Sequence, residues 1–461
     1  MTRLPGKGGA MRARYPGWRC SRRSLLTTAA GMSLATATTN SRSVTAQHEG
    51  SLRIGYEASQ SVSAAAMERA AATVSAANPG VEFVFEPSPP GSFLVQLVLQ
   101  LSMNRAPDLF MLNGSFLGEI ASAGFSRPLD DYLATWEGWE QVPANFRRSI
   151  SWDGAVWGFP HQIDSHFLYY RRDVFAAAGL PTDWQPGSPD DILDVALVIK
   201  REVPDVMPFA LYAGASAGLD TVGRGFVPLL LAYGGDFKDE NGLWIVDSCA
   251  IRAAMRFYER AYVIDKTVPQ NVMTDSAPVE SMREALLDGS LAMIHEGSWA
   301  FGEWLTQSSD TAREQIGFAL MPSHDGQGKV VLSSPANTLF INARTALPDL
   351  AWEFIAAMNT LEQQVAINVA DPHLPSRVDA MNDPRMSGDP FLEALVASSQ
   401  ALRLFDPDPA IREIVSIVQS GTGAVASGEA GPDEVVTRYA SELTRAFGEG
   451  NVVAQPCNIE A

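Results

Sequence analysis

The residues that could do chemistry are best introduced by one short run, Asp288-Gly-Ser-Leu-Ala-Met-Ile-His-Glu-Gly-Ser-Trp299. Trp299 offers a flat indole face, and Glu296, three residues earlier, a carboxylate. An aromatic face packs on the C–H surface of a sugar ring, while carboxylates, amides and guanidinium groups bond its hydroxyls. Groups of the same kind recur along the chain: Gln60 in Ser59-Gln-Ser61, Asn113 and Ser115 in Asn113-Gly-Ser115, Asp164 and His166 in His161-Gln-Ile-Asp-Ser-His166, and Arg224 in Asp220-Thr-Val-Gly-Arg-Gly225. Each has a plainer reading beside it. Trp299 fills a core, Glu296 sits in a solvated turn, Asp164 is a loop carboxylate, and Ser61 caps a helix.

Other chemistries are weaker. His-x-x-Asp-x-His offers metal ligands, but in an extended segment that spacing sends His161 and Asp164 to opposite faces. A cleft-lining or packing role suits the two histidines better. Asp164 and Glu296 could face each other as a glycosidase's acid and nucleophile do. No Gly-x-Ser-x-Gly or His-Glu-x-x-His supports catalysis, and no Walker motif is present, so no enzyme, no cofactor and no bound metal are expected.

The elements that must position these residues follow from punctuation and periodicity. Leu52-Arg-Ile-Gly-Tyr56 alternates as a strand, residues 64–77 form an Ala-rich helix, and Asn78-Pro-Gly80 stops it. Val81-Glu-Phe-Val-Phe85 is the next strand, residues 93–103 a second helix, and Asp108-Leu-Phe-Met-Leu112 a buried strand. Strand, helix, strand, helix, strand implies a parallel, doubly wound sheet with ligands at its carboxyl edge. Further on, helices are expected over residues 191–200 and 246–264. A helix running to Leu287 should close at Gly289 in a left-handed turn, followed by a buried strand at Leu291-Ala-Met-Ile294 that delivers Trp299 to its edge.

The 461 residues, 46% hydrophobic and 19% charged, are too many for one ordinary core, so two lobes are expected. Residues 1–46 hold eight basic side chains and no acid, and Ser21-Arg-Arg-Ser-Leu-Leu26 precedes a mildly apolar, Thr-rich stretch. That pattern resembles a twin-arginine export signal. The remaining chain has 26 basic against 53 acidic residues, a balance that repels nucleic acid and anionic membranes. Cys20 precedes the apolar stretch, so it is no lipid anchor, and Cys249 with Cys457 could pair in an oxidising compartment.

The Asp288–Trp299 run resembles the "G-x-x-A-M-x-x-x-G-x-W" segment of the family 1 extracellular solute-binding proteins of ABC importers, of the carbohydrate-binding type. Other segments agree in order: Asn78-Pro-Gly80, Ala106-Pro-Asp-Leu109, Arg127-Pro-Leu-Asp-Asp-Tyr-Leu133, Asp153-Gly-Ala-Val-Trp-Gly-Phe-Pro160, Tyr233-Gly-Gly235, Ile316 to Pro322, and His373-Leu-Pro-Ser-Arg377. The likeness spans residues from about 52 to 445. It implies a stacking Trp at Trp299, a sugar-binding carboxylate at Asp164, and ligand contacts at Asn113 and Asn337; Arg377 reaches either the ligand or a hinge carbonyl. Two positions depart: Arg171 stands where Asn is usual, and Arg224 where a stacking Tyr is, leaving open an acidic sugar. Tyr169-Tyr170 resembles the paired tyrosines of periplasmic ferric-ion-binding proteins but falls at this family's structural position.

The resemblance implies a two-lobe, type II periplasmic-binding-protein α/β fold, each lobe a doubly wound sheet, joined by hinges near Pro160, Pro322 and Pro375. Residues 49–161 and 322–373 would form lobe 1, residues 162–321 and 374–450 lobe 2, and 451–461 a tail. The expected protein is an extracytoplasmic monomer that binds a sugar between its lobes and delivers it to a membrane permease. The rival ligands are a glycerophosphoryl compound, a sugar acid or a polyamine. For a polyamine, only Asp164, Glu296 and Glu57 offer carboxylates in this reading.

Overall fold

The computed structural model describes residues 49–455, apart from 90, 405 and 406, together with residue 457. Residues 1–46, expected to be an export signal, lie outside the described residues. The first stretch forms as expected: β1 (Glu49–Glu57), α1 (Ser61–Ala77), β2 (Gly80–Ser88), α2 (Phe93–Ser102) and β3 (Leu109–Leu112). Then β4 (Phe159–Ile163) and β5 (His166–Arg171) follow one another with only Asp164 and Ser165 between them. Both strands are buried along their whole length, with His161, Gln162, His166 and Arg171 as their buried polar side chains.

The next helix, α3 (Pro189–Glu202), starts two residues earlier than the periodicity suggests because Ser188 and Asp191 form a reciprocal capping box with Pro189 in the first turn. A π-helical turn, Thr221–Phe226, follows. The helix expected over residues 246–264 is a strand and then a helix: β6 (Trp244–Asp247), the capping residue Ser248, and α4 (Cys249–Glu259). The Ser248 side chain accepts from the Ile251 amide, so the chain turns there rather than running through.

α5 (Pro278–Asp288) ends at Gly289, whose φ of +88° is the left-handed cap expected. A Cβ at that position would also lie 3.1 Å from the Arg171 guanidinium. That contact explains the departure at Arg171. Its Nη1 donates to the carbonyls of Leu286 and Leu287 at 3.0 and 2.7 Å, satisfying orphan groups at the negative end of α5. Beyond Gly289 come β7 (Met293–Gly297), α6 (Ser298–Gln307), β8 (Ile316–Ala319), β9 (Pro335–Ile341), α7 (Pro348–Met358) and α8 (Leu361–Ala370). The described chain closes with α9 (Ile411–Ser427), α10 (Pro432–Phe447) and β10 (Val452–Ala454).

Two sheets position the site. One has the order β2-β1-β3-β9-β4, the other β8-β5-β7. In the first sheet β1 is parallel to β2 and β3, as expected of a doubly wound unit, while β9 runs antiparallel to both β3 and β4. In the second, β5 is antiparallel to β7 and β8, with His166 opposite Gly297 and Tyr170 opposite Gly317. Parallel pairing there is confined to two bridges, Met207 with Leu291 and Ala210 with Ile294. The parallel arrangement expected of the first unit is present, and the strands next to the crossings, β4, β5 and β9, pair antiparallel.

Cys249 and Cys457 are bonded, closing a loop between residues 208 positions apart. The bond fastens β10, which pairs in parallel with β6, and Phe447 stacks on Trp244 at 4.7 Å beside it. Replacing Cys457 by Ser should lower the unfolding free energy by about 2–4 kcal/mol, and reductant should destabilise the wild type alone. Equal denaturation midpoints for the two proteins would show that the C-terminal strap adds nothing.

Candidate ligand-binding site

β7 carries the site's central charge. Glu296, at its penultimate position, is wholly buried, and both its oxygens are occupied. Oε2 accepts from Arg224 at 2.8 Å and Arg283 at 3.1 Å, and Oε1 from the Gly297 amide at 2.7 Å and Arg283 at 3.4 Å. Burial would raise this carboxyl, but the two guanidinium groups outweigh it and hold it at about 2. Asp220 joins the same network at 3.2 Å from Arg224, one turn earlier in the chain, and Glu303 at 3.1 Å from Arg283. Glu296 is thus not in a solvated turn: it is buried as the counter-ion of two arginines.

Trp299 begins α6 and folds back over the end of β7. A Cβ on Gly297 would sit 2.1 Å from the indole ring, so only glycine allows this placement. The ring is half-buried. His373 lies parallel to it, 5.5 Å away at 12°, and His166 meets it edge-on at 5.5 Å. Arg224 and Arg283 stand over it at 5.2 and 6.0 Å. Three cationic groups thus surround the electron-rich indole, each in the range of a cation–π contact.

Asp164 occupies the link between the two sheets. Its carboxylate accepts from Ser334 at 2.7 Å and from Asn113 at 3.5 Å, and lies 3.5 Å from His373 Nε2. Its own amide donates to the Ser334 carbonyl, and Ser333 donates to its carbonyl. Burial raises this carboxyl, yet the His373 hydrogen bond and charge, with His166 and Ser334, leave it below its ordinary value. His373 moves the other way. Burial alone would lower it, but Asp371 and Asp164 together push it up to about 9. Burial holds His161 and His295 neutral, each at about 3, and at His295 it outweighs the Arg224 carbonyl and Glu296.

The remaining candidates divide. Asn113 caps the turn after β3 and accepts from the Ser115 amide and hydroxyl, so both join the Asp164 cluster. His166 hydrogen-bonds the Leu332 carbonyl and packs on His295 and Trp299. Asn337, at φ +38°, donates to Gln162 at 2.6 Å, and Gln162 stands 2.9 Å from His373 Nδ1. Gln60 precedes α1 without a side-chain capping bond; Ser63, three residues on, is the residue that reaches His161 and Gln162. Arg377 is elsewhere, bonded to Asp379 and the Asn359 carbonyl and lying over Trp136. Arg283, Glu303, Asp371 and His373 belong to the site and were not singled out from the sequence. The one available hint was that four of the six histidines fall in these segments.

With this geometry in hand, the comparisons with known proteins are informative. Residues 58–365 match the family model of the bacterial extracellular solute-binding proteins. The chain belongs to this family. The maltotriose-binding protein of Pyrococcus abyssi is 21% identical over 379 residues, 80% of this chain and 76% of that protein. An ABC transporter solute-binding protein of Thermotoga lettingae, solved with α-D-tagatose, superposes with a TM-score of 0.75 at 20% identity, covering 86% of this chain and 98% of that one. The GacH receptor of Streptomyces glaucescens, solved unliganded and with acarbose, gives 0.75 at 20% identity over 87% and 99%. The fold is the two-lobe, type II periplasmic-binding-protein fold.

Glu296→Gln removes the charge of the carboxylate that Arg224 and Arg283 both contact, and should cost about 3–5 kcal/mol in guanidinium unfolding. A loss under 1 kcal/mol would mean that Asp220 and Glu303 suffice. The histidines shape the pH profile in opposite senses. His373 binds its proton more tightly folded than unfolded, so its contribution is full below pH 6.5 and vanishes as pH rises through about 9. His161 and His295 stay neutral when folded, so stability falls as pH drops from 6.5 toward about 3. NMR of the imidazole carbons should find His373 still protonated at pH 8; an ordinary midpoint near 6.5 would refute the Asp371–His373–Asp164 coupling.

Proposed function

We propose that this solute-binding chain takes a sugar or short oligosaccharide and serves as the extracytoplasmic binding component of an ABC importer. The observation that carries the reading is Trp299: an indole pinned against Gly297 at the end of β7, still partly exposed, and ringed by buried groups that fix its orientation. A pyranose laid on its free surface would have Asn113, Ser115 and Asp164 from one sheet and Arg224 and His166 from the other as hydrogen-bonding neighbours. The relatives support the ligand class, since their names and structures include maltotriose, tagatose and acarbose.

In this reading residues 49–161 and 322–373 act as one lobe and 162–321 with 374–450 as the other. The crossings at Asp164–Ser165 and between β8 and β9 serve as hinges. Closure is favoured by a ligand that touches both lobes, and the closed monomer docks on a membrane permease. The N-terminal segment exports the chain by the twin-arginine route, and no lipid anchors it. No catalysis is assigned, because Glu296, the candidate nucleophile, has both oxygens held by arginines and a backbone amide. A phosphate ester or sugar acid is disfavoured for a similar reason: Arg224 already faces Asp220 and Glu296.

Differential scanning fluorimetry against mono-, di- and oligosaccharides tests the reading. A true ligand at one hundred times its Kd should add about 2.7 kcal/mol of stability, and Trp299→Ala should abolish that gain while remaining folded. Binding that survives in Trp299→Ala would remove the stacking role; stabilisation by phosphodiesters alone would replace the sugar.

A further inference from the structure

The charges around Trp299 are sorted by depth. The cations lie inside: the side chains of Arg224, Arg283 and His373 are 9%, 14% and 5% exposed. The carboxylates that neutralise them most closely, Glu296 and Asp164, are buried as well. What remains accessible is of one sign. Asp220, Glu303 and Asp371 have side chains 32%, 46% and 20% exposed, and each sits next to one of the three cations. The five carboxylates exceed the three cations, and the surplus is on the accessible side.

These three carboxylates approach Trp299 along separate routes. Glu303 lies one turn after Trp299 on α6, Asp220 opens the π-helical turn that carries Arg224, and Asp371 follows α8 in the His373 loop. The nearness of Glu303 to Asp371 also shows in its ionisation. Burial, then the Glu296 and Asp371 carboxylates, raise the Glu303 carboxyl against the pull of Arg283. Three buried polar atoms of the same cluster, Tyr212 Oη, Arg224 Nε and Ser298 Oγ, have no hydrogen-bond partner among the described residues. Buried hydroxyl and N–H groups left unpaired are uncommon, and they suit a ligand rich in hydroxyls.

We propose that the preferred ligand is a polyhydroxylated molecule bearing a positive charge: an amino sugar, or an oligosaccharide in which one unit carries a free amine. The inference rests on the sugar-binding reading above and narrows it. Hydroxyls meet the inner donors and acceptors, while the ammonium meets Glu303 and Asp371 at the accessible edge of an indole face that already holds cations. A neutral sugar leaves the surplus of negative charge in the cluster unbalanced, and an acidic one adds to it.

Isothermal titration of the mature chain with matched sets tests this. Glucose, glucosamine, N-acetylglucosamine and glucuronic acid form one set, and oligomers of glucosamine and of N-acetylglucosamine, one to four units long, form the other. The amine member should bind at least about tenfold tighter than its hydroxyl or acetamido counterpart, and added salt should narrow the gap. Glu303→Gln and Asp371→Asn, each read separately in case one fails to fold, should reduce the amine-to-neutral affinity ratio. Equal or tighter binding of the neutral or acidic member, or a ratio untouched in both variants, overturns the proposal and leaves sugar binding intact. Binding of no saccharide in either set overturns both readings.

Discussion

Glu296 is the point on which the site depends. A lone carboxylate at the buried end of a strand would be expelled or protonated, because taking an ion out of water costs several kcal/mol. Here it stays ionised because two arginines arrive from different elements, Arg224 from a π-helical turn and Arg283 from the helix before β7. Each arginine is in turn held by an outer carboxylate, Asp220 or Glu303. The chain of charges therefore ties three elements to one strand end. It also fixes where the guanidinium groups stand over Trp299, so the indole's electrostatic surroundings are set by a core interaction rather than by a mobile surface pair.

A second charged unit sits on the link between the sheets. Asp164 is bound by Ser334 and Asn113 from the first sheet's side and by His373 from the loop after α8, and His373 lies on Trp299. The two units meet at that one ring. A change at Asp164 is thereby felt by His373 and at the indole without passing through the bulk of either sheet. Both units combine buried partners with an accessible carboxylate, which is why the outward charge is negative although the interior holds three cations.

Much of this was readable from residue types whose role is local. Gly289 is required by the sign of φ, Gly297 and Trp299 by a spacing that lays a ring over a missing side chain, and the β1–β3 unit by its alternation and stop signals. What escaped reading depends on meetings between distant segments. Nothing near Arg283 announces Glu296 thirteen residues later as its partner, because the pairing needs a helix to pack beside a strand. Arg171 read as a departure from a family pattern, and only the end of α5 shows it capping carbonyls. Residues 246–264 carry helical character throughout, and a single capping serine decides that the first of them are strand. The polyamine option was discounted for want of carboxylates, and the fold supplies Asp220, Glu303 and Asp371 from three separate segments.

The occupied state of Trp299 also sets how a ligand can gain affinity. Cation–π contacts are each worth about 0.5–2 kcal/mol depending on desolvation, so His373 on the ring is not a negligible competitor. With its imidazolium held to about pH 9 by Asp371 and Asp164, His373 keeps that contact across the physiological range. A sugar that displaced it would exchange one favourable stack for another and gain only the difference. A sugar that leaves His373 in place and uses the exposed part of the ring gains its full contact.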